Sequence, residues 1–265
     1  MGISVKLKCI FMRGDTLAES DFIYIFQKGF NFSQDGPGNR LVYHLCGCNL
    51  FCPWCSNPEG MKKSADAKKV GISDILDEVK SCRMMFFDGG GVTFTGGECT
   101  LQKDALLKLV KLLKEEGIHT CIETNASLNG VDELYSEVDY MIADFKSADF
   151  ETLKNVTGAD KNTVYLNLLN RAKTKKPLLV RVPLIKNFNT GEKNAELFAE
   201  CFKNLQKESE TRELYFEILT YHEFGKEKWE KLGLEYKFKD GFVNKEDVLI
   251  LKNAITSNNL KLITT

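Results

Sequence analysis

Histidine is scarce in this 265-residue chain. Only His44, His119 and His222 occur, widely spaced, so no histidine cluster is available to hold a metal. A surplus of one charge is missing too. The 36 Lys and Arg residues stand against 37 Asp and Glu, a net charge of −1, which gives no global attraction to nucleic acid or to an anionic membrane. No apolar run approaches the roughly 18 residues of a membrane-spanning helix. Residues 1–8 lack the apolar core and small-residue cleavage site of a signal peptide, so a cytoplasmic location is expected. No internal repeat, low-complexity run or linker divides the chain, and residues 1–265 are expected to form one domain.

What the chain does have is cysteine, nine in all. Four of them, Cys46, Cys48, Cys52 and Cys55, crowd into ten residues, whereas Cys9, Cys82, Cys99, Cys121 and Cys201 are scattered singly. That layout is unlike a disulfide framework. In a reducing compartment the cluster suggests metal ligands and the scattered residues suggest small buried hydrophobes. The run Cys48-Asn-Leu-Phe-Cys52-Pro-Trp-Cys55 is a C-x3-C-x2-C spacing on one short loop. A closed structural site wants four protein ligands, so three thiolates imply a coordination position left open for chemistry. The spacing suits a cuboidal [4Fe–4S] cluster with three irons held by sulfur. A structural zinc bound by Cys46, Cys48, Cys52 and Cys55 is the alternative, although Cys46 and Cys48 stand very close for that purpose.

Strand-like and helix-like segments alternate from residue 41 onward. Strands are expected at 41–45, 92–95, 119–124, 140–146, 178–185 and 214–219, with a last one at 260–264. Helices are expected at 104–116, 131–138, 149–156, 161–173, 192–207, 225–232 and 245–257, and another capped by Ser73 with Ile75, Leu76 and Val79 on its buried face. The clearest is 104–116, with Leu106, Leu107, Val110 and Leu113 at helical spacing and Gly117 as its stop. Six successive strand–helix units imply a parallel sheet with helices outside, a partly open (β/α)6 barrel of the α/β class. Active sites of parallel α/β folds lie at the carboxyl ends of the strands.

The remaining polar motifs all fall at those ends. Gly96-Gly97-Glu98 follows the strand at 92–95, where two glycines admit a close approach to the backbone and the Glu98 carboxylate offers a partner for an ammonium group. Glu123-Thr124-Asn125 closes the next strand and Asp144-Phe145-Lys146 the one after. Charges there are poorly explained by packing, although a salt bridge such as Glu123–Lys146 would account for two of them. Arg181 stands among apolar residues in Leu178-Leu-Val-Arg-Val-Pro-Leu-Ile185, and His222 follows the strand at 214–219 in Leu219-Thr-Tyr-His-Glu-Phe-Gly225.

Taken together, these motifs resemble the radical S-adenosylmethionine (SAM) enzymes, and within them the activating enzymes of glycyl-radical enzymes of the compact pyruvate formate-lyase type. The similarity runs from the Asp35-Gly-Pro-Gly38 turn through Gly89-Gly-Gly-Val-Thr-Phe-Thr-Gly-Gly-Glu98 to Tyr221-His222-Glu-Phe-Gly225. Between Cys55 and Gly96 there is room for one helix and only Cys82, so the ferredoxin-like insert with further clusters that many such activases carry is absent. The resemblance implies that Cys48, Cys52 and Cys55 hold a [4Fe–4S] cluster that serves as electron source. It further implies that SAM is bound by Trp54, Ser56, Gly96, Gly97, Glu98, Glu123, Thr124, Asp144, Phe145, Lys146, Arg181 and His222. Trp54 would lie along the adenine and Lys146 would meet the SAM carboxylate. The acidic groups would help bind ribose and a monovalent cation near Glu123 and Asp144. Two departures are Cys99, where the family more often has proline or alanine, and Glu123, where it more often has aspartate.

The activity so implied is reductive cleavage of SAM to a 5′-deoxyadenosyl radical that takes a hydrogen atom from a glycine of a partner enzyme. Flavodoxin or ferredoxin is the implied electron donor. The first rival is a radical SAM enzyme acting on a small molecule or peptide. The second is a non-enzymatic metal-binding or electron-transfer module, which would leave the strand-end motifs without a purpose.

Overall fold

The computed structural model describes residues 18–62 and 67–264. Cys9 lies outside them. The core of the fold is a parallel run of six strands: β2 (Asn39–Leu45), β4 (Gly91–Gly96), β5 (Thr120–Thr124), β6 (Tyr140–Asp144), β7 (Leu178–Leu184) and β8 (Leu214–Thr220). These follow one another in space in chain order, as right-handed strand–helix units require. They are the six units expected from the sequence. A short seventh parallel strand, β9 (Leu262–Ile263), pairs with Phe216 and Glu217 of β8.

Two strands were not expected. β1 (Phe22–Phe32) runs antiparallel to β2, and β3 (Lys68–Gly71) runs antiparallel to the start of β1. The sheet therefore has nine strands in the order β3-β1-β2-β4-β5-β6-β7-β8-β9, open between its two edges. β1 escapes a search for alternating apolar residues because its second half, from Gln27 to Phe32, is largely exposed.

Helices cover the outer face. α1 (Ile72–Ser81) buries Ile75 and Val79, and its N-cap is Gly71 rather than Ser73, which sits inside the first turn. α2 (Lys103–Glu115) buries Ala105, Leu106, Leu109, Val110 and Leu113 in a stripe of helical period, and Gly117 ends it with φ +66°. α3 (Asp132–Glu137), α4 (Phe150–Thr157), α5 (Lys161–Ala172), α6 (Glu192–Glu208), α7 (Lys226–Lys231) and α8 (Lys245–Thr256) complete the alternation. Phe145, Phe198, Phe202 and Phe216 make the contact of α6 with the sheet, with Phe202 and Phe216 stacked at 4.4 Å.

Two fully buried arginines fasten the amino-terminal face. Arg40 donates to the Thr93 hydroxyl (2.6 Å) and to the carbonyls of Pro37, Gly89, Val92 and His119. Arg171 donates to the carbonyls of Tyr135, Val138, Asp139 and Pro177. Filling both guanidinium forks with oxygen acceptors offsets part of the cost of burying them. The loops at this end are thereby held rigid, and the carboxyl end of the sheet is left for chemistry.

Candidate active site

At the carboxyl ends of the strands lies a cavity open to solvent, with about 1030 Å3 of empty space including its mouth. Cys48, Cys52, Trp54, Cys55 and Ser56 form one wall. Gly96, Gly97, Glu123, Thr124, Asp144, Lys146, Arg181 and His222 form the rest, with Thr95, Asn125, Pro183 and Tyr221 beside them. The structure thus brings thirteen of the fifteen residues expected from the sequence to one place.

The cysteine loop is delivered by β2 and pinned at both ends. Gly47 donates to the Gly60 carbonyl (2.8 Å), Cys48 to that of Met61 (3.1 Å) and Glu98 to that of Gly47 (2.7 Å). Gly97 sits so close that a Cβ there would lie 2.2 Å from the Gly47 oxygen and 2.3 Å from that of Gly60. The Gly-Gly-Glu turn therefore interlocks with the cysteine loop as well as lining the cavity. At the other end, the Trp229 indole of α7 donates to the Cys55 carbonyl (2.9 Å), and Gly225 lets α7 approach the same carbonyl.

Two residues expected at the site are elsewhere. Glu98 is buried, and its carboxylate takes four hydrogen bonds within the protein. They come from the Thr100 N–H (3.1 Å), the Thr100 hydroxyl (2.6 Å), the Thr124 hydroxyl (2.7 Å) and the Asn125 N–H (2.7 Å). It braces the end of β4 to the end of β5 and lies buried outside the lining of the cavity. Burial nevertheless keeps its pKa above the ordinary carboxylate value. Phe145 points to the outer face of the sheet, against Phe198 and Phe202. In a strand, neighbours of inward-facing Asp144 must face outward.

The charges pair differently from the expected Glu123–Lys146 bridge. Lys146 meets Asp144 at 2.6 Å, while Arg181 meets Glu123 at 2.9 Å and Glu217 at 2.7 Å. Arg181 also donates to the Gln34 carbonyl, and Thr95 donates to Glu123. Burial lowers the tendency of Lys146 to stay charged, but Asp144 and the nearby Cys52 more than offset it, so its pKa lies above the ordinary lysine value. Burial pushes Glu123 up to about 7 against the pull of Arg181, helped by Asp35 and Asp144. Both carboxylates named for a monovalent cation face a fixed cation of the protein, but Arg181 is shared between Glu123 and Glu217. Glu217 was missed, yet a lone charge in the apolar strand Leu214-Tyr-Phe-Glu-Ile-Leu219 is the same signal that marked Arg181.

The cysteine wall fits an iron–sulfur cluster. The Leu50 N–H points at the Cys48 sulfur (3.4 Å), and the Asn125 amide lies 3.9 Å from it. Burial pushes Cys52 up to about 12 and Cys55 up to about 11, so these thiols need a bound cation to become thiolates. Cys46 is buried and lines no part of the cavity. Among the described residues, no three His, Cys, Asp or Glu side chains converge on a single-ion site. A cuboidal cluster spreads its thiolates over separate irons, whereas the alternative zinc site needs all four on one ion.

Trp54 is wedged between Phe188 (4.5 Å) and Phe238 (5.2 Å), its edge facing the cavity. His222 stacks on Phe224, and its buried Nδ1 has no hydrogen-bond partner within the protein. Burial holds its pKa below the ordinary histidine value, and the ring lines the cavity while its unpaired Nδ1 is buried.

The sequence profile of the radical SAM superfamily matches residues 42–198, which span the cysteine loop and the strands β4 to β7. The chain belongs to the radical SAM superfamily. Its cofactors are accordingly SAM and a [4Fe–4S] cluster. Within the superfamily, this chain is 32% identical over 216 residues to a pyruvate formate-lyase-activating enzyme of Staphylococcus aureus (strain USA300), covering 78% of this chain and 84% of the relative. Among solved structures, a domain of a pyruvate-formate lyase-activating enzyme from Bacteroides vulgatus superposes with a TM-score of 0.53 at 24% identity, over 66% of this chain and 98% of that one. Streptococcus suis SuiB bound to S-adenosylmethionine superposes with 0.61 at 16% identity, over 84% of this chain and 49% of that one. A radical SAM methyltransferase from Sphaerobacter thermophilus gives 0.63 at 12% identity, over 92% and 77%. These structures share the fold. No described helix of this radical SAM protein is long and apolar enough to cross a membrane.

Proposed function

We propose that this radical SAM protein is a glycyl-radical enzyme activase with a pyruvate formate-lyase-like partner. The observation that carries the reading is the single cavity that gathers Cys48, Cys52 and Cys55 with Gly96, Gly97, Lys146, Arg181 and His222 at the carboxyl ends of the parallel strands. The identity to a pyruvate formate-lyase-activating enzyme over most of both chains supports the choice of a glycyl-radical enzyme as substrate. When bound, the cluster supplies the electron that cleaves SAM to methionine and a 5′-deoxyadenosyl radical, which removes a hydrogen atom from the α-carbon of the partner's glycine.

The residues divide the work by their chemistry. Cys48, Cys52 and Cys55 each hold one iron. Lys146, charged and almost buried, meets the SAM carboxylate, and the backbone carbonyls of Gly96 and Gly97 meet its ammonium. Trp54, Ser56 and His222 flank the nucleoside. Glu123, Thr124, Asp144 and Arg181 form a polar floor in which Arg181 is shared by Glu123 and Glu217 and Lys146 holds Asp144. A single radical SAM domain without a second cluster, an electron supply from flavodoxin or ferredoxin, and a cytoplasmic setting complete the proposal.

Anaerobically reconstituted protein should hold about four irons and four sulfides per chain and release 5′-deoxyadenosine from SAM when reduced. One zinc per chain and no SAM cleavage would overturn the reading. Cleavage that is stimulated by a small metabolite and by no glycyl-radical enzyme would transfer it to the small-molecule class.

A further inference from the structure

The middle of the cysteine loop is gripped by a helix that has no share in the hydrophobic core. α7 buries none of its six residues, so core packing does not explain where it lies. Its contacts go to the loop instead. The Trp229 indole donates to the Cys55 carbonyl (2.9 Å). Lys228 donates to Oδ1 of Asn57 (2.8 Å) and pairs with Glu59 (3.0 Å). Gly225, just before the helix, sits so close that a Cβ there would lie 2.4 Å from the Cys55 oxygen. After α7 the chain returns to pack Phe238 against Trp54 at 5.2 Å. One segment, residues 225–238, thus reaches Trp54, Cys55, Asn57 and Glu59.

Trp229 is itself held in place. Its ring meets that of Tyr236 edge-on at 5.8 Å, and the Tyr236 hydroxyl lies 2.7 Å from the hydroxyl of Tyr221, a residue of the cavity wall. The chain has two tryptophans; Trp54 lies in the cysteine loop and Trp229 is bonded to it. Within the turn that α7 grips, the Asn57 backbone N–H points at the Cys55 sulfur. Reduction adds negative charge to a cluster and its thiolates, and an N–H aimed at a ligand sulfur favours that reduced state.

We propose that Trp229 and Lys228 are positioning residues for the [4Fe–4S] cluster. By gripping the Cys55 carbonyl and the Asn57 side chain, they keep the Asn57 N–H on the Cys55 sulfur and so raise the reduction potential of the cluster. The indole is uncharged and bonds to the carbonyl, not to the sulfur. Any change in potential that follows its removal must therefore pass through the placement of Cys55. A higher potential lets a weaker reductant load the electron that SAM cleavage consumes. The cluster comes with membership of the radical SAM superfamily, so the inference is independent of the activase reading and holds for either class of substrate.

The test is a redox titration of the reconstituted, cluster-loaded protein without SAM or partner, read by electron paramagnetic resonance of the reduced cluster. Trp229→Phe keeps an aromatic ring and removes the donor. At a fixed ambient potential its ratio of reduced to oxidised cluster should fall roughly three- to tenfold, the upper figure being about 59 mV for one electron. Iron loss to a chelator should quicken as well. Trp229→His, which retains a ring N–H, should recover part of both. Asn57→Ala keeps the backbone N–H and the net charge but frees the turn from Lys228, so it should lower the potential in the same direction. It carries the test if Trp229→Phe holds no cluster. Arg171→Lys loosens the fold at the opposite end of the sheet without touching the loop, and should leave the potential where it is. If Trp229→Phe and Asn57→Ala titrate like the unaltered protein, or if Arg171→Lys shifts the potential as far as they do, α7 is a structural cover only and the proposal is wrong.

Discussion

Replacing Glu98 by glutamine separates a brace from a ligand. The substitution keeps the shape of the side chain and one oxygen. Placed where Oε1 is now, that oxygen still accepts from Thr100 and Thr124. The amide nitrogen then faces the Asn125 N–H, which at present lies 2.7 Å from Oε2, so a donor meets a donor. Leaving a buried N–H unsatisfied costs about 1–3 kcal/mol. Part of this is offset, because the amide carries no charge to desolvate, and burial already disfavours the ionised carboxyl. The net expectation is a loss of about 1–2 kcal/mol for Glu98→Gln. For Glu98→Ala, where all four donors lose their acceptor and a cavity opens, the expected loss is about 3–5 kcal/mol. Urea unfolding of the cluster-free protein reads these losses directly, and SAM affinity of the cluster-loaded Glu98→Gln protein should stay within about twofold. Unchanged stability combined with a tenfold or greater loss of SAM affinity would show that Glu98 is a ligand and that the bracing argument is wrong.

Three further outcomes follow from the site. Single replacement of Cys48, Cys52 or Cys55 by alanine should abolish cluster assembly, read as the loss of iron and of the visible absorption band, whereas Cys46→Ala should keep both, because Cys46 lies outside the cavity. Lys146→Ala should weaken SAM binding by roughly 1.5–3 kcal/mol while the cluster still forms; isothermal titration with unchanged affinity would confine Lys146 to its bond with Asp144. Glu123 has its folded pKa raised from 4.5 to about 7, so between those values the folded state binds more protons than the unfolded one. Stability of the cluster-free protein should then fall as pH rises through this window, by at most about 3 kcal/mol, and Glu123→Gln should flatten the slope in unfolding titrations.

Much of the architecture was legible because the parallel strands are short apolar runs separated by amphipathic helices, a pattern in which burial dictates residue type. Strands β4 to β8 and the helices between them fall within a few residues of their expected bounds. β1 was not legible, since its second half runs beyond the short edge strand β3 into solvent and has no reason to alternate. At the site, the cysteine spacing and the strand-end charges identified the right residues, but partners could not be read. Lys146 chooses Asp144, two residues away on the same strand end, and Arg181 chooses Glu123 and Glu217, which flank it across the sheet. Such choices depend on strand register, which only the folded sheet defines. The bracing bonds of Glu98 were not legible for a related reason: a carboxylate at a strand end looks available until the hydroxyls of Thr100 and Thr124 are seen around it. The two buried arginines, Arg40 and Arg171, carried no signal at all, because apart from the Thr93 hydroxyl on Arg40 their partners are backbone carbonyls and no side-chain pattern records them.

The central claim is that the cavity directs a radical onto a glycine of a second protein. The direct test mixes the anaerobic, cluster-loaded protein with SAM, a reductant and pyruvate formate-lyase whose glycines are deuterated at the α-carbon, and follows both electron paramagnetic resonance and the isotope content of 5′-deoxyadenosine. A glycine-centred radical signal on the partner, with one deuterium delivered to 5′-deoxyadenosine per radical formed, is the predicted result. SAM cleavage without deuterium transfer and without a glycyl radical, under conditions where a small metabolite does transfer its hydrogen, would contradict it.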